Sequence, residues 1–278
     1  MLPGWHATSC CDPCVHPLLI SVSGTHDGLV IQEYAAMPKI DVFLMFGPSD
    51  RSFIDKKDPE SKKKIRTKIA PPNWKSIGVE LRRKGYELTV YGPSINPAVQ
   101  DIQDSMSNAE VTLLVGHGAV TPSAAGGSKW ITDQIKLKDG FLRSPDGVFT
   151  GKWNGGKLEE PKNSGKLKIN KVTGVFTCNS TDKMPDAFDL QPGSHLITND
   201  GGEDGLTRVG TLEWGAAEFV LEYVRKKGNV SKAMNKAQVK FKERGEKYKG
   251  DADDLLSDKI GPEPPPPAPV AQPPSKGP

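Results

Sequence analysis

Two stretches decide the fold: Val111-Thr-Leu-Leu-Val-Gly-His-Gly118 and Val172-Thr-Gly-Val-Phe-Thr-Cys-Asn-Ser180. Each is a short apolar run that empties into small residues and one reactive side chain. Runs of this length, rich in Val, Leu and Phe, read as strands buried on both faces, as in a parallel sheet. Three similar segments share the chain: Ile40–Phe46, ended by Gly47-Pro48; Glu87–Tyr91, ended by Gly92-Pro93; and His195–Thr198, ended by Asn199-Asp200-Gly201-Gly202. Helical patterns alternate with them. Trp74, Ile77, Gly78 and Leu81 fall at helical spacing, and Gly85 follows as a stop. Asn96-Pro97 opens a second helix with Val99, Ile102 and Met106 on one face. Leu212, Gly215, Ala216, Phe219, Val220, Tyr223 and Val224 form the stripe of a third. Ser231 reads as the cap of a fourth, with Ala233, Met234, Ala237 and Phe241 inward. Strand–helix alternation predicts an α/β fold, a mainly parallel sheet covered by helices on both faces. Residues 130–170, with Ser144-Pro-Asp-Gly147 and Asn154-Gly-Gly156 as turn signals, predict one or two small inserted hairpins.

Composition narrows the function classes. The chain has 278 residues, 36% hydrophobic and 26% charged, which suits a soluble globular block. No run approaches the roughly 18 apolar residues of a membrane span. Four cysteines are too few for a disulfide framework. A net charge of +3 does not by itself point to nucleic acid. The basic stretch Lys56–Lys68 could meet phosphate, but it lacks interleaved aromatic side chains for base stacking, so a solvated loop is the plainer reading. We expect a leader over residues 1–36, a domain over 37–260 and a proline-rich tail over 261–278. Translation starting at Met37 fits this division. Cys10, Cys11, Cys14 and His16 have one C-x-x-C spacing but no second ligand pair at finger distance, so no metal is assigned. The tail favours polyproline II and could dock a partner's aromatic groove or remain solvated. No export signal is read, and a cytoplasmic location is expected.

In an open parallel sheet, ligands bind beyond the carboxyl ends of the strands. His117 and Cys178 follow two such ends. A thiolate can attack a carbonyl carbon while an imidazole manages the proton. The backbone N–H groups of Gly118 and Cys178 are candidate donors for the resulting oxyanion. The alternative is an inert buried cysteine beside a hydrogen-bonded structural histidine.

The order apolar run, His-Gly, spacer, apolar run, small residue, Cys resembles the caspase-type cysteine peptidases, the group of caspases, metacaspases, gingipains and clostripain. Downstream, Gly193-Ser-His-Leu-Ile197, the helix Trp214–Tyr223, Gly228 and Ser231–Gln238 are similar to bacterial CHAT domains. The resemblance spans residues 40–245. It implies a caspase-like three-layer α/β/α sandwich and a peptidase C14-like endopeptidase of bacterial type, acting on a protein or peptide. It also implies Cys178 as nucleophile, His117 as acid/base and Gly118 in the oxyanion hole. Such enzymes need no metal for the chemistry, although some are activated by Ca²⁺. The chain departs from the pattern at Thr177, where a smaller residue is usual, and it lacks an acid two residues before Cys178. Asp200, Glu203 and Asp204 could line a pocket for a basic side chain, bind Ca²⁺ or form a solvated turn. Asp182 is a further candidate pocket acid. His195 and His26 read as structural or exposed. A non-catalytic binding protein on the same fold is the alternative function.

Overall fold

The computed structural model describes residues 24–25, 28–29, 36–54, 66–122, 130–201, 207–247 and 256–263. The chain divides into two units, Met1–Ala36 and Met37–Pro278. In the first, Gly24–Thr25 pairs with Gly28–Leu29; Cys10, Cys11, Cys14, His16 and His26 lie outside the described residues.

The second unit is built on a six-stranded sheet. Its strands are β1 (Lys39–Met45), β2 (Glu87–Tyr91), β3 (Val111–Gly116), β4 (Val172–Phe176), β5 (His195–Asn199) and β6 (Leu256–Ile260). Their spatial order is β2-β1-β3-β4-β5-β6. All neighbouring pairs are parallel except β5–β6. The chain builds outward from β1 to β2, returns to β3, and then builds the other way. This reversal puts a topological switch point between β1 and β3, where such sheets leave a crevice at their carboxyl edge.

Among the described residues, four α-helices accompany the sheet: α1 (Trp74–Arg83), α2 (Val99–Asn108), α3 (Val209–Arg225) and α4 (Val230–Lys247). Alternate strand residues feed two cores, as the two-residue repeat of a strand requires. Val42, Leu44, Leu113, Val115, Phe176 and Ile197 pack with α1, α3 and α4. Phe43, Leu114, Val175 and Leu196 face the opposite way, against α2 and the inserted β-structure. The predicted stripe on α3 is buried from Leu212 to Val224. Tyr223, at its end, donates its hydroxyl to Glu110 at 2.9 Å. Burial and that carboxylate raise its phenol's pKa far above the ordinary range.

Three details differ from the sequence reading. The insertion is no pair of small hairpins but a five-stranded antiparallel sheet, made of Ala119–Pro122, Trp130–Leu137, Gly140–Arg143, Gly147–Asn154 and Lys157–Gly165. With α2, it covers one face of the main sheet through Ile135, Leu137, Leu142 and Val148. The cap of α4 is Asn229, whose Oδ1 accepts from Lys232 N at 2.9 Å; Ser231 lies inside the helix. No apolar pattern marks the sixth strand, because Leu256-Ser-Asp-Lys-Ile260 is an edge strand with a single buried residue, Leu256. Backbone attachment continues just past it: Gly261 N donates to Ser194 O, and Gly193 N to Pro262 O.

One ion pair ties the layers together at the switch point. After β1, the chain makes a tight turn, Pro48–Arg51. The Arg51 guanidinium donates through Nε and Nη2 to both Glu213 oxygens of α3, at 2.6 and 2.8 Å. Trp74 of α1 adds an indole N–H at 2.9 Å. The guanidinium also stands 5.1 Å from the Phe46 ring centroid. The two charged side chains are 9% and 0% exposed, so neither charge can be left to water. Removing one partner of a buried pair leaves the other uncompensated, whereas replacing both with apolar groups costs far less. Glu213→Gln should therefore lose about 3–5 kcal/mol of stability in urea unfolding. Arg51→Met with Glu213→Met should lose distinctly less than Glu213→Gln alone.

Candidate functional site

The register of β3 against β4 places the two reactive residues. Val111 stands opposite Val172 and Val115 opposite Phe176. His117 and Cys178 each come two residues after that last pair, on adjacent parallel strands about 4.8 Å apart. Sequence alone cannot show which strands are neighbours; the sheet makes these two adjacent, and both turns leave the same carboxyl edge. β1 flanks β3 on the other side, with Met45 opposite Gly116.

The two side chains differ in setting. His117 is open to solvent, with 58% of its side chain exposed; its Nε2 lies 3.5 Å from Asp50 Oδ2, on the turn after β1. Cys178 is buried at 9% exposure, and its thiol donates to the Thr207 carbonyl at 3.4 Å. A carbonyl can accept only from the S–H form. The nucleophile in thiol chemistry is the thiolate. In this arrangement the Cys178 sulfur is engaged with Thr207 in its S–H form.

The backbone around Cys178 is held by residues that no sequence pattern marks. Thr132, on the insertion strand Trp130–Leu137, donates its hydroxyl to the Cys178 carbonyl. Its backbone N–H donates to Asn179 O at 3.2 Å. The same Thr132 packs against Gly118: a Cβ at Gly118 would overlap its Oγ1 and Cγ2. One threonine thus touches both turns. Behind it lies a buried polar layer. Ser180 Oγ donates to Val175 O at 2.6 Å and accepts from Asn199 N at 3.0 Å. Asn199 Nδ2 reaches Thr207 Oγ1 at 2.8 Å. These bonds join the Cys178 turn, the end of β5 and the approach to α3. Their buried groups would cost stability if left unpaired. No periodic pattern marks Thr132, Asp50, Asn199 or Thr207, because each acts through contacts remote in sequence.

Two of the candidate pocket acids are described, Asp182 and Asp200, and their neighbours Thr181 and Asn199 are joined by a backbone hydrogen bond of 3.3 Å. Asp182 is exposed and accepts from Asn179 Nδ2 at 3.0 Å. It also borders a cavity of about 260 Å³ with Thr181, Asp186, Thr198 and Asp258. Asp200 is half-buried at the end of β5. Glu203 and Asp204 lie outside the described residues, as do residues 56–65 of the basic stretch and 264–278 of the tail. Arg66–Lys68 forms a short antiparallel pair with Ser52–Ile54. His195 faces Asp258 across β5 and β6 at 2.9 Å, in keeping with a structural role. Among the described residues, no three His, Cys, Asp or Glu side chains gather in a way that could hold a metal ion. No described helix is long and apolar enough to cross a membrane.

No family model matches the chain, and no curated protein sequence matches it. Among solved structures, the crystal structure of the Drosophila initiator caspase Dronc superposes with a TM-score of 0.31 and 8% sequence identity, over 83% of each chain. A superposition that slight carries no inference about activity. The likeness to CHAT domains and to bacterial peptidases rests on the sequence motifs alone.

The close approach at Gly118 can be tested by adding one methyl group. Gly118→Ala should cost about 1–3 kcal/mol, the range for overpacking, because the methyl would land on the side chain that holds the Cys178 carbonyl. Thr132→Ala in that background should recover part of the loss. Equal stability of Gly118→Ala and the wild type, by thermal unfolding, would show that the approach is looser than described.

Proposed function

We propose that residues 37–260 form a caspase-like cysteine endopeptidase, akin to the CHAT-type bacterial members, with Cys178 as nucleophile and His117 as acid/base. The observation that carries the reading is the shared position of the two residues, each two places beyond the last pair of adjacent parallel strands.

In this reading a peptide carbonyl enters above the carboxyl edge of β3 and β4. The Cys178 thiol gives its proton to the His117 imidazole, and sulfur bonds to the carbonyl carbon. The oxygen takes the negative charge, met by the N–H groups of Gly118 and Cys178. The carbon–nitrogen bond then breaks, and His117 returns the proton to the departing amine. A thioester remains. Water adds to it with His117 as base, the thioester carbon–sulfur bond breaks, and the acid product leaves as the thiol is regained. We assign to Asp182 and Asp200 the part of favouring a basic side chain in the substrate. No step calls for a metal ion.

The buried, Thr207-bound thiol favours a second reading, a binding protein that keeps the fold and has no turnover. Alkylation by iodoacetamide at about pH 6.5, mapped by peptide mass spectrometry, separates the two. An ordinary thiol, with a pKa near 8.5, reacts slowly there. The peptidase reading expects Cys178 to be labelled at least about tenfold faster than Cys10, Cys11 and Cys14, and to lose that advantage in His117→Ala. Labelling of Cys178 no faster than the other three, together with no cleavage of a peptide library, would leave the binding protein in its place.

A further inference from the structure

We infer that Asp50 is the positioning residue of His117, an inference that rests on the peptidase reading above. Three observations converge on it. The Asp50 carboxylate faces His117 Nε2 at 3.5 Å, close enough for a charge partner though long for a hydrogen bond. The same oxygen, Oδ2, accepts from Gly47 N at 2.7 Å, which fixes the carboxylate on its own turn. Arg51, the next residue, is bound to Glu213 of α3 by two side-chain hydrogen bonds, and its carbonyl accepts from Ile69 N at 2.9 Å. The turn that carries Asp50 is therefore anchored to the interior rather than left to the solvent.

The chemical consequence follows from the imidazole's two nitrogens. If Nε2 carries the proton and points it at a carboxylate, Nδ1 is the acceptor left for the Cys178 proton. When that proton arrives, the ring becomes an imidazolium whose positive charge lies against Asp50. In the free protein, water screens the pair, since Asp50 and His117 are 35% and 58% exposed. A bound peptide would displace that water and strengthen the interaction where it is needed. The carboxylate touches neither the substrate nor sulfur; it acts through His117.

The test uses the full chain with Asp50→Ala, Asp50→Glu and His117→Gln. Two quantities are read. The first is the tautomer of His117, from long-range ¹H–¹⁵N correlations in basic buffer, with the signal assigned by its loss in His117→Gln. The second is the alkylation rate of Cys178. The expected result is that Asp50→Ala moves the His117 tautomer toward the ratio of a solvated imidazole. It should also slow alkylation by up to about fivefold, the scale of a solvent-screened ion pair. Asp50→Glu should restore both in large part. Two outcomes overturn the inference while leaving the peptidase reading intact. One is slowing by His117→Gln but not by Asp50→Ala. The other is slowing by Asp50→Ala with an unmoved tautomer, which marks a merely structural loss. An alkylation rate untouched by His117→Gln brings down the peptidase reading itself, and this inference with it.

Discussion

Parallel pairing between β3 and β4 is the constraint on which everything at the carboxyl edge depends. Both strands are buried on both faces, so a slip of one residue would exchange the two cores. Leu113 and Leu114 belong to opposite cores, as do Val175 and Phe176. The register is therefore over-determined by packing, and the positions of His117 and Cys178 inherit that certainty. The site needs no dedicated scaffold of its own, since the layers that bury the sheet also align the two turns.

Around that pairing, the local arrangement is one of few, multiply used residues. Thr132 serves the Cys178 turn through its hydroxyl and backbone and limits the Gly118 turn through its bulk. Asn199 and Ser180 join β5 to the same turn. Arg51 and Glu213 lock the turn after β1 to α3, with Trp74 of α1 as a third member. Each of these contacts crosses between elements far apart in the chain. The turns at the carboxyl edge thus have backbones fixed from behind, the condition for holding side chains in a working geometry.

Much of the frame was legible because burial on both faces leaves an unbroken apolar run. Ile40–Phe46 and Val111–Val115 could hardly be anything else, and Glu87–Tyr91 was read with its observed ends. The helical stripes on α1 and α2 are equally plain, for the opposite reason: one face is buried and the spacing shows it, whereas α3 is buried on most of its surface. What escaped was non-local or polar. Leu256–Ile260 pairs at an edge, where nothing forces its side chains to be apolar. Residues 119–165 announce their turns but not how many strands pair between them. Asn229 and Ser231 are both good helix caps, and only the fold chooses between them. At the site, the reactive residues stood out by chemistry and position, whereas Asp50, Thr132 and Thr207 are ordinary polar residues until the chain brings them into place.

The inserted sheet also bears on how such a chain can assemble. β3 and β4 must meet across the whole connection from residue 117 to residue 171, and closing a long flexible loop costs entropy. Four of the five insertion strands, from Trp130 to Gly165, follow one another as hairpins, each paired with its neighbour in sequence. Contacts so local can form early, before any distant pairing is made. Once formed, they turn most of a long flexible connection into a folded one, so that less chain entropy remains to be lost as the gap between β3 and β4 closes. Thr132, already on its strand, then meets the Cys178 carbonyl as the gap closes. The insertion would in this way serve as a splint for the central sheet during folding, and the speed of that step would depend on the stability of the hairpins.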